Sequence, residues 1–258
     1  MPLVDGCNRY VVCYLDFFIR ETPRLDLEET VMQMDQDYHI VTDYIKGVSL
    51  WDFIRAHKGN LTRENTVALF TQLLLGLKFI HDHGYAHQDI KPNNIMVDET
   101  GVIRYIDFGL ACVAMCKWQP CVNVCHSLVG TPLYAPPEMV RPGYNNSLSS
   151  AKAHDIWSLG IIMYQLINMR PFPYDTRDMA STPNLPSRSV LINISNAPKY
   201  RSDFPRDFAG GALNSFVDYL SNPDLKSRPS IHDAYSRFVE TINTNVNLVL
   251  PQPFSFSG

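Results

Sequence analysis

The sequence predicts an α+β fold: two strands near the start, then mostly helices, with one small hairpin among them. Three observations carry this. Residues 10–19, YVVCYLDFFI, and 38–45, YHIVTDYI, are rich in the β-branched and aromatic residues that suit strands. Val67, Phe70, Leu74 and Leu77 recur at helical spacing. Two short apolar runs, 95–98 and 102–106, flank a Glu99-Thr100-Gly101 turn.

The elements follow in order. The segment ETPRLDLEETVMQMDQD between the first two strands is acidic and expected to be exposed. SLWDFIRAHKG reads as a short helix with Ser49 as its cap and Gly59 at its end. Thr62 caps the clearest helix, and Gly84 supplies the left-handed turn that stops it. Residues 151–169 are apolar nearly all round after Asp155, which predicts a buried helix. Residues 171–207 hold six of the eighteen Pro, with many Ser and Asn, and read as loop. Two amphipathic helices follow, GGALNSFVDYLS and SIHDAYSRFVETI, with Ser230 and Asp233 placed as a capping box. The tail PQPFSFSG is expected to fray, and no internal repeat is present.

Composition narrows the function. The chain has 258 residues, 45% of them hydrophobic, enough for a sizeable core. A formal net charge of −4 gives no excess of positive charge for nucleic acid or an anionic membrane, so neither is expected as a partner. The most apolar run, VALFTQLLLGLKFI, carries Gln72 and Lys78 and is too short to span a bilayer. Asp5 and Asp16 break any signal-peptide layout, so an intracellular protein, cytoplasmic or nuclear, is expected. On that footing the six Cys are read as reduced thiols or a metal site rather than as disulfides.

Chemistry gathers around the small hairpin. His87-Gln88-Asp89 precedes it, Lys91 and Asn94 follow closely, and Asp107-Phe108-Gly109 closes it. A hairpin brings its ends together, so Asp89, Lys91, Asn94 and Asp107 should converge. Asn94 and Asp107 give hard oxygen ligands suited to Mg²⁺. Asp89 is a carboxylate able to accept a hydroxyl proton, and Lys91 a mobile charge for a phosphate. Together they suit phosphoryl transfer, where positioning and charge neutralisation do most of the work. Taken singly, Asp107 before a Gly also reads as a turn residue, and His87 as a core histidine.

These residues resemble a known family. HQDIKPNN is similar to the catalytic loop of eukaryotic-type protein kinases, and IDFGLA to their metal-binding loop. VGTPLYAPPEM resembles the end of their activation loop, HDIWSLGIIMYQL their anchoring helix, and KSRPSIHDA the stretch with their late Arg. The resemblance runs from about residue 10 to about residue 242, with the motifs in the family's order. It implies a protein-kinase-like fold: residues 1–48 as a remnant of the small lobe and hinge, 49–243 as the helical lobe, and 244–258 as a tail. It implies ATP and Mg²⁺ as cofactors and a protein substrate with Ser or Thr.

The implied roles are specific. Asp89 would orient the substrate hydroxyl or take its proton, and Lys91 would contact the transferring phosphate. Lys91 with Thr131 marks the Ser/Thr branch. Asn94 and Asp107 would hold magnesium. Asp43 and Ile45 would offer backbone groups to adenine, with Thr42 as gatekeeper and Met96 beneath the base. Glu138 would pair with Arg228, and Asp155 would hold the catalytic-loop backbone.

The chain departs from the pattern at three places. The family's Gly-rich loop, strand-borne Lys and partner Glu have no counterpart before the hinge; Gly6 is the sole Gly before Gly47, and Lys46 is the first Lys. Two explanations stand: a sequence that starts late, or a short form that binds or scaffolds. The chain as given is expected to bind ATP weakly, transfer little, and expose strand surface that aggregates or takes a partner. Second, Gln88 stands where the family usually has Arg, so dependence on activation-loop phosphorylation through this position is not expected. Third, CVAMCKWQPCVNVCHSLVG carries Cys112, Cys116, Cys121 and Cys125 with His126, and zinc binding, redox sensing and simple packing all remain open. The leading reading is a protein Ser/Thr kinase. The alternatives are a catalytically silent binding module and, less well matched by GTPLYAPPE, an aminoglycoside or lipid kinase of related fold.

Overall fold

Side-chain caps set the helix starts. In the computed structural model of the chain, Ser49 Oγ accepts the Asp52 N–H at 3.1 Å and opens α1, Leu50–Ala56. Thr62 Oγ1 accepts the Asn65 N–H at 3.2 Å and opens α2, Arg63–Asp82. Each satisfies a donor that the first turn leaves orphaned. Gly84, at φ +79°, ends that segment in the left-handed region as expected. The structure describes residues 7–25, 32–57, 61–115, 122–125, 129–140, 143–168 and 212–245. The expected loop at 171–207, the Gly59 stop and the C-terminal tail lie outside these residues.

The core is helical. The helix α3, Leu148–Asn168, is buried at every residue from His154 to Leu166, which matches its all-round apolar sequence. The helices α4, Ala212–Leu220, and α5, Ile231–Asn245, pack into the same bundle. Phe70 of α2, Phe216 of α4 and Phe238 of α5 meet with ring centroids 5.2–5.9 Å apart, so one aromatic cluster joins three helices. Ser230 Oγ accepts the Asp233 N–H at 3.2 Å and donates to Asp233 Oδ2 at 2.7 Å, a capping pair at the expected place. Among the described residues no helix is long and apolar enough to cross a membrane.

Among the described residues three small antiparallel sheets accompany the helices. The first is a hairpin of β1, Tyr14–Leu25, and β2, Met32–Thr42. The second has the order β3 (Gly47–Ser49), β5 (Ile95–Asp98), β6 (Ile103–Tyr105), and contains the predicted small hairpin. The third has the order β4 (Tyr85–Ala86), β7 (Cys112–Met115), β8 (Val122–Val124).

The first hairpin corrects the sequence reading. Residues 10–12 are not part of β1; they lie beside β6, where Val12 N–H donates to Tyr105 O at 2.9 Å. The strands instead extend into the acidic segment expected to link them. Cross-strand polar pairs make this possible: Gln36 Nε2 donates to Glu21 Oε1 at 3.1 Å, and Thr22 Oγ1 to Asp37 Oδ2 at 3.4 Å. The apolar side chains of this hairpin are exposed, as expected of strands without a covering sheet: Phe17, Phe18 and Ile19 by 44–48%, Tyr38 and Ile40 by 65–68%.

The cysteines are a second correction. The structure pairs Cys112 with Cys125 and Cys7 with Cys13 as disulfides, not reduced thiols. The β7–β8 register explains the first. Val113 faces Val124, so Cys112 and Cys125 fall opposite each other, with Cα atoms 4.7 Å apart. Cys7 and Cys13 have Cα atoms 5.0 Å apart. Among the described residues no group of His, Cys, Asp or Glu is arranged to hold a metal ion. Cys116, Cys121 and His126 lie outside those residues.

Two buried ionic contacts tie distant segments together. Arg228 reaches Glu138 through two bonds, Nη1 to Oε1 at 2.7 Å and Nη2 to Oε2 at 3.0 Å, as expected. Asp155, in α3, is fully buried. Its Oδ2 accepts the His87 N–H at 2.7 Å and its Oδ1 the Gln88 N–H at 2.8 Å. His81 Nε2, at the end of α2, lies 2.9 Å from Asp155 Oδ2. Burial pushes the Asp155 carboxyl up, but the donors around it outweigh that and hold it below the usual carboxylate value. Burial holds the imidazoles of His81 and His154 below theirs, so both are neutral in the fold.

This arrangement makes stability depend on pH. Unfolded histidines take up a proton near pH 6.5, while folded His81 and His154 resist it. Their contribution is therefore whole above pH 6.5 and lost as pH falls below it, by up to about 1.4 kcal/mol per histidine per pH unit. Urea titrations at pH 7.5 and 5.5 should show lower stability at pH 5.5, and His154→Gln should shrink the difference. Equal stability at both pH values would refute the assignment.

Candidate active site

The site forms where β4 runs into the segment before β5. Asp155 holds the backbone of His87 and Gln88, and that fixes where Asp89 stands. Gln88 takes φ +63°, a conformation costly for a side chain bearing Cβ, and the two bonds to Asp155 stabilise it. His87 Nε2 lies 2.9 Å from Ile106 O, and the Asp89 N–H donates to His87 Nδ1 at 3.3 Å. His87 is thus a core histidine and also a strut between the two ends of the hairpin.

Asp89 is ringed by donors. Lys91 Nζ donates to its Oδ2 at 2.7 Å, Asn94 Nδ2 to the same oxygen at 2.9 Å, and Thr131 Oγ1 to its Oδ1 at 2.7 Å. Lys91 Nζ also donates to Thr131 Oγ1 at 2.8 Å. Burial pushes the Asp89 carboxyl up, but the bonds from Lys91, Thr131 and Asn94 outweigh it and keep the group ionised at neutral pH. The predicted residues Asp89, Lys91, Asn94 and Thr131 therefore meet in one hydrogen-bonded cluster.

Asp107 joins them through the backbone. The Ile106 N–H donates to Asn94 O at 3.0 Å, which sets Asp107 beside Asn94. Asp107 is exposed, has φ +60°, and its Oδ1 accepts the Gly109 N–H at 3.3 Å. The donor set fits a hard divalent cation. Asn94 commits its amide N–H groups to Asp89, which leaves its carbonyl oxygen as a ligand, and Asp107 supplies a carboxylate.

The remaining predicted residues lie at the end of β2, in the segment between β2 and β3, and in β5. Asp43 closes the base of the first hairpin: its N–H donates to Cys13 O at 3.0 Å, and its Oδ1 accepts the Cys13 N–H at 2.6 Å. Ile45 is buried two residues on, and Thr42 is exposed. Met96 is half-buried in β5, on the sheet face opposite the fully buried Ile95 and Val97.

Three features escaped the sequence reading. The Gln88 side chain is fully buried, yet among the described residues neither its Oε1 nor its Nε2 has a hydrogen-bond partner. Gly130, at φ +96°, lies so close to Gln88 O that a Cβ would overlap it. Only glycine lets the segment leading to Thr131 approach the catalytic loop. His81 was the other omission; nothing local in IHDHG marks it as the partner of Asp155.

Comparison with known proteins agrees with this geometry. The family model described as Protein kinase domain matches residues 8–238. CBL-interacting serine/threonine-protein kinase 18 of Arabidopsis thaliana is 36% identical over 199 residues, covering 76% of this chain and 34% of that protein. CBL-interacting protein kinase 10 of Oryza sativa subsp. japonica is 36% identical over 138 residues, covering 53% of this chain and 29% of the relative. Maternal embryonic leucine zipper kinase of Danio rerio is 32% identical over 178 residues, covering 63% and 25%. The chain thus spans between a quarter and about a third of the length of these relatives. Protein kinases as a family use ATP and Mg²⁺. With the matched region running through the catalytic loop, the hairpin and the helices that hold them, this chain belongs to the protein kinase domain family.

Proposed function

We propose that the protein carrying this chain is a serine/threonine kinase, transferring the γ-phosphate of ATP to hydroxyls of a protein substrate. The observation that supports it most is the ionised Asp89 carboxylate, held by Lys91, Asn94 and Thr131. In this reading residues 1–48 act as a small-lobe remnant with the hinge, 49–243 as the helical lobe and 244–258 as a tail. Asp43 and Ile45 contact adenine, with Met96 under the base. Asn94 and Asp107 hold Mg²⁺, which would neutralise charge on the phosphates. Lys91 steadies the transferring phosphate. Asp89 orients the substrate hydroxyl and takes its proton as the new O–P bond forms and ADP departs. The exposed apolar residues of β1 and β2 support a protein partner over that hairpin. The relatives described above are named as kinases, which favours this reading over a silent binding module.

The decisive variant is Asp89→Asn, which keeps the shape and hydrogen-bond reach but removes the base. Phosphate incorporation into a Ser-containing protein, measured with the native protein, should fall by about a hundredfold or more. Unchanged incorporation would reject the proposal.

Regulation follows from Gln88. Its neutral amide cannot make the charge-assisted bond that an Arg makes with a phosphorylated activation loop. Phosphatase treatment should leave the transfer rate within about twofold if this position sets the response; a large drop would contradict it.

A further inference from the structure

A cavity of about 500 Å³ opens where the end of α2 meets the first turns of α3 and α5. None of the residues gathered around Asp89 lines it. Its lining is one-sided in charge. Lys152, Lys226 and His232 face it together with serines of both first turns, and among the described residues no carboxylate does. That is unusual in a chain whose formal net charge is −4.

The two lysines have spare donors. Lys152 Nζ donates to His81 O at 2.6 Å, a neutral carbonyl, which leaves two of its three N–H groups. Lys226 is exposed, and its ammonium has no hydrogen-bond or ion-pair partner among the described residues. Asp82, close behind His232, is already engaged by it at 2.8 Å and by Lys78 at 2.6 Å. Arg228 also borders the cavity, but its guanidinium is committed to Glu138 and the carbonyls of Asn222 and Ala153. Ser149 adds a hydroxyl at the rim, while the Ser230 hydroxyl beside it is committed to Asp233 Oδ2. The first turns of α3 and α5 contribute positive ends of their dipoles as a secondary effect.

We propose that this cavity binds a phosphomonoester dianion, as carried by a phosphoserine in a peptide. Two ammonium groups with N–H donors to spare match a dianion better than a single carboxylate charge. Among the described residues no carboxylate lines the wall to repel one, and the Ser149 hydroxyl can donate to a phosphate oxygen. A kinase with such a site would retain proteins that already carry a phosphate. The assignment does not depend on transfer activity, because binding is measured without ATP.

The test is fluorescence anisotropy of the chain with a labelled phosphoserine pentapeptide, its unphosphorylated twin, and inorganic phosphate as competitor. The expected result is saturable binding of the phosphopeptide, at least about tenfold tighter than the twin and weaker at high salt. Inorganic phosphate should compete only at much higher concentration. Lys226→Gln, at an exposed position, should weaken phosphopeptide binding about fivefold, and Lys152→Gln should weaken it as well. Absence of saturable binding, equal affinity for the unphosphorylated twin, or an affinity unchanged in both variants would overturn the proposal.

Discussion

The buried carboxylate of Asp155 is the contact on which the rest of the site depends. It accepts two successive backbone N–H groups, from His87 and Gln88, and lies within bonding distance of the His81 ring. A charge with no solvent exposure is tolerable only when its lone pairs are filled, and here they are. The reward is geometric. The same bonds that satisfy Asp155 hold Gln88 in a conformation it would otherwise avoid, and that turn places Asp89 against Lys91, Asn94 and Thr131. The anchor works because α3 is rigid: it is buried on every side and packed against α2 and α4.

From this anchor the active cluster is assembled by three separate segments. The loop after β4 brings Asp89 and Lys91. The return of the hairpin through β6 brings Asp107, whose neighbour Ile106 donates its N–H to Asn94 O. The segment through Gly130 brings Thr131, and the absence of a side chain at Gly130 permits the close approach to Gln88. The Asp89 charge is therefore stabilised by Lys91 and Asn94 of its own loop together with Thr131 from a distant segment.

Much of this was legible in the sequence because it is local or because its motifs are specific. Ser49, Thr62, Gly84 and the Ser230–Asp233 pair act through neighbours a few residues away, so their roles follow from spacing. Asp89, Lys91, Asn94 and Thr131 belong to motifs whose order along the chain implied their convergence. What failed was non-local or read from the wrong premise. The hairpin of β7 and β8 was not expected, so the facing of Cys112 and Cys125 was missed, and compartment was allowed to decide a question that register decides. The acidic stretch after residue 20 was taken for a linker, although its carboxylates accept hydrogen bonds from Gln36 and Thr22 across the strands. His81 and the orphaned amide of Gln88 depend on tertiary contacts that no window of sequence contains.

The central claim is that Asp155 fixes the catalytic loop through the His87 and Gln88 amides. Hydrogen exchange of those two amides in the wild-type chain and in Asp155→Asn tests it directly. The account predicts strong protection in the wild type and a selective loss at His87 and Gln88 in the variant, with the buried turns of α2 still protected. Protection at both amides that survives the substitution would show that something other than Asp155 holds the loop, and would contradict the account.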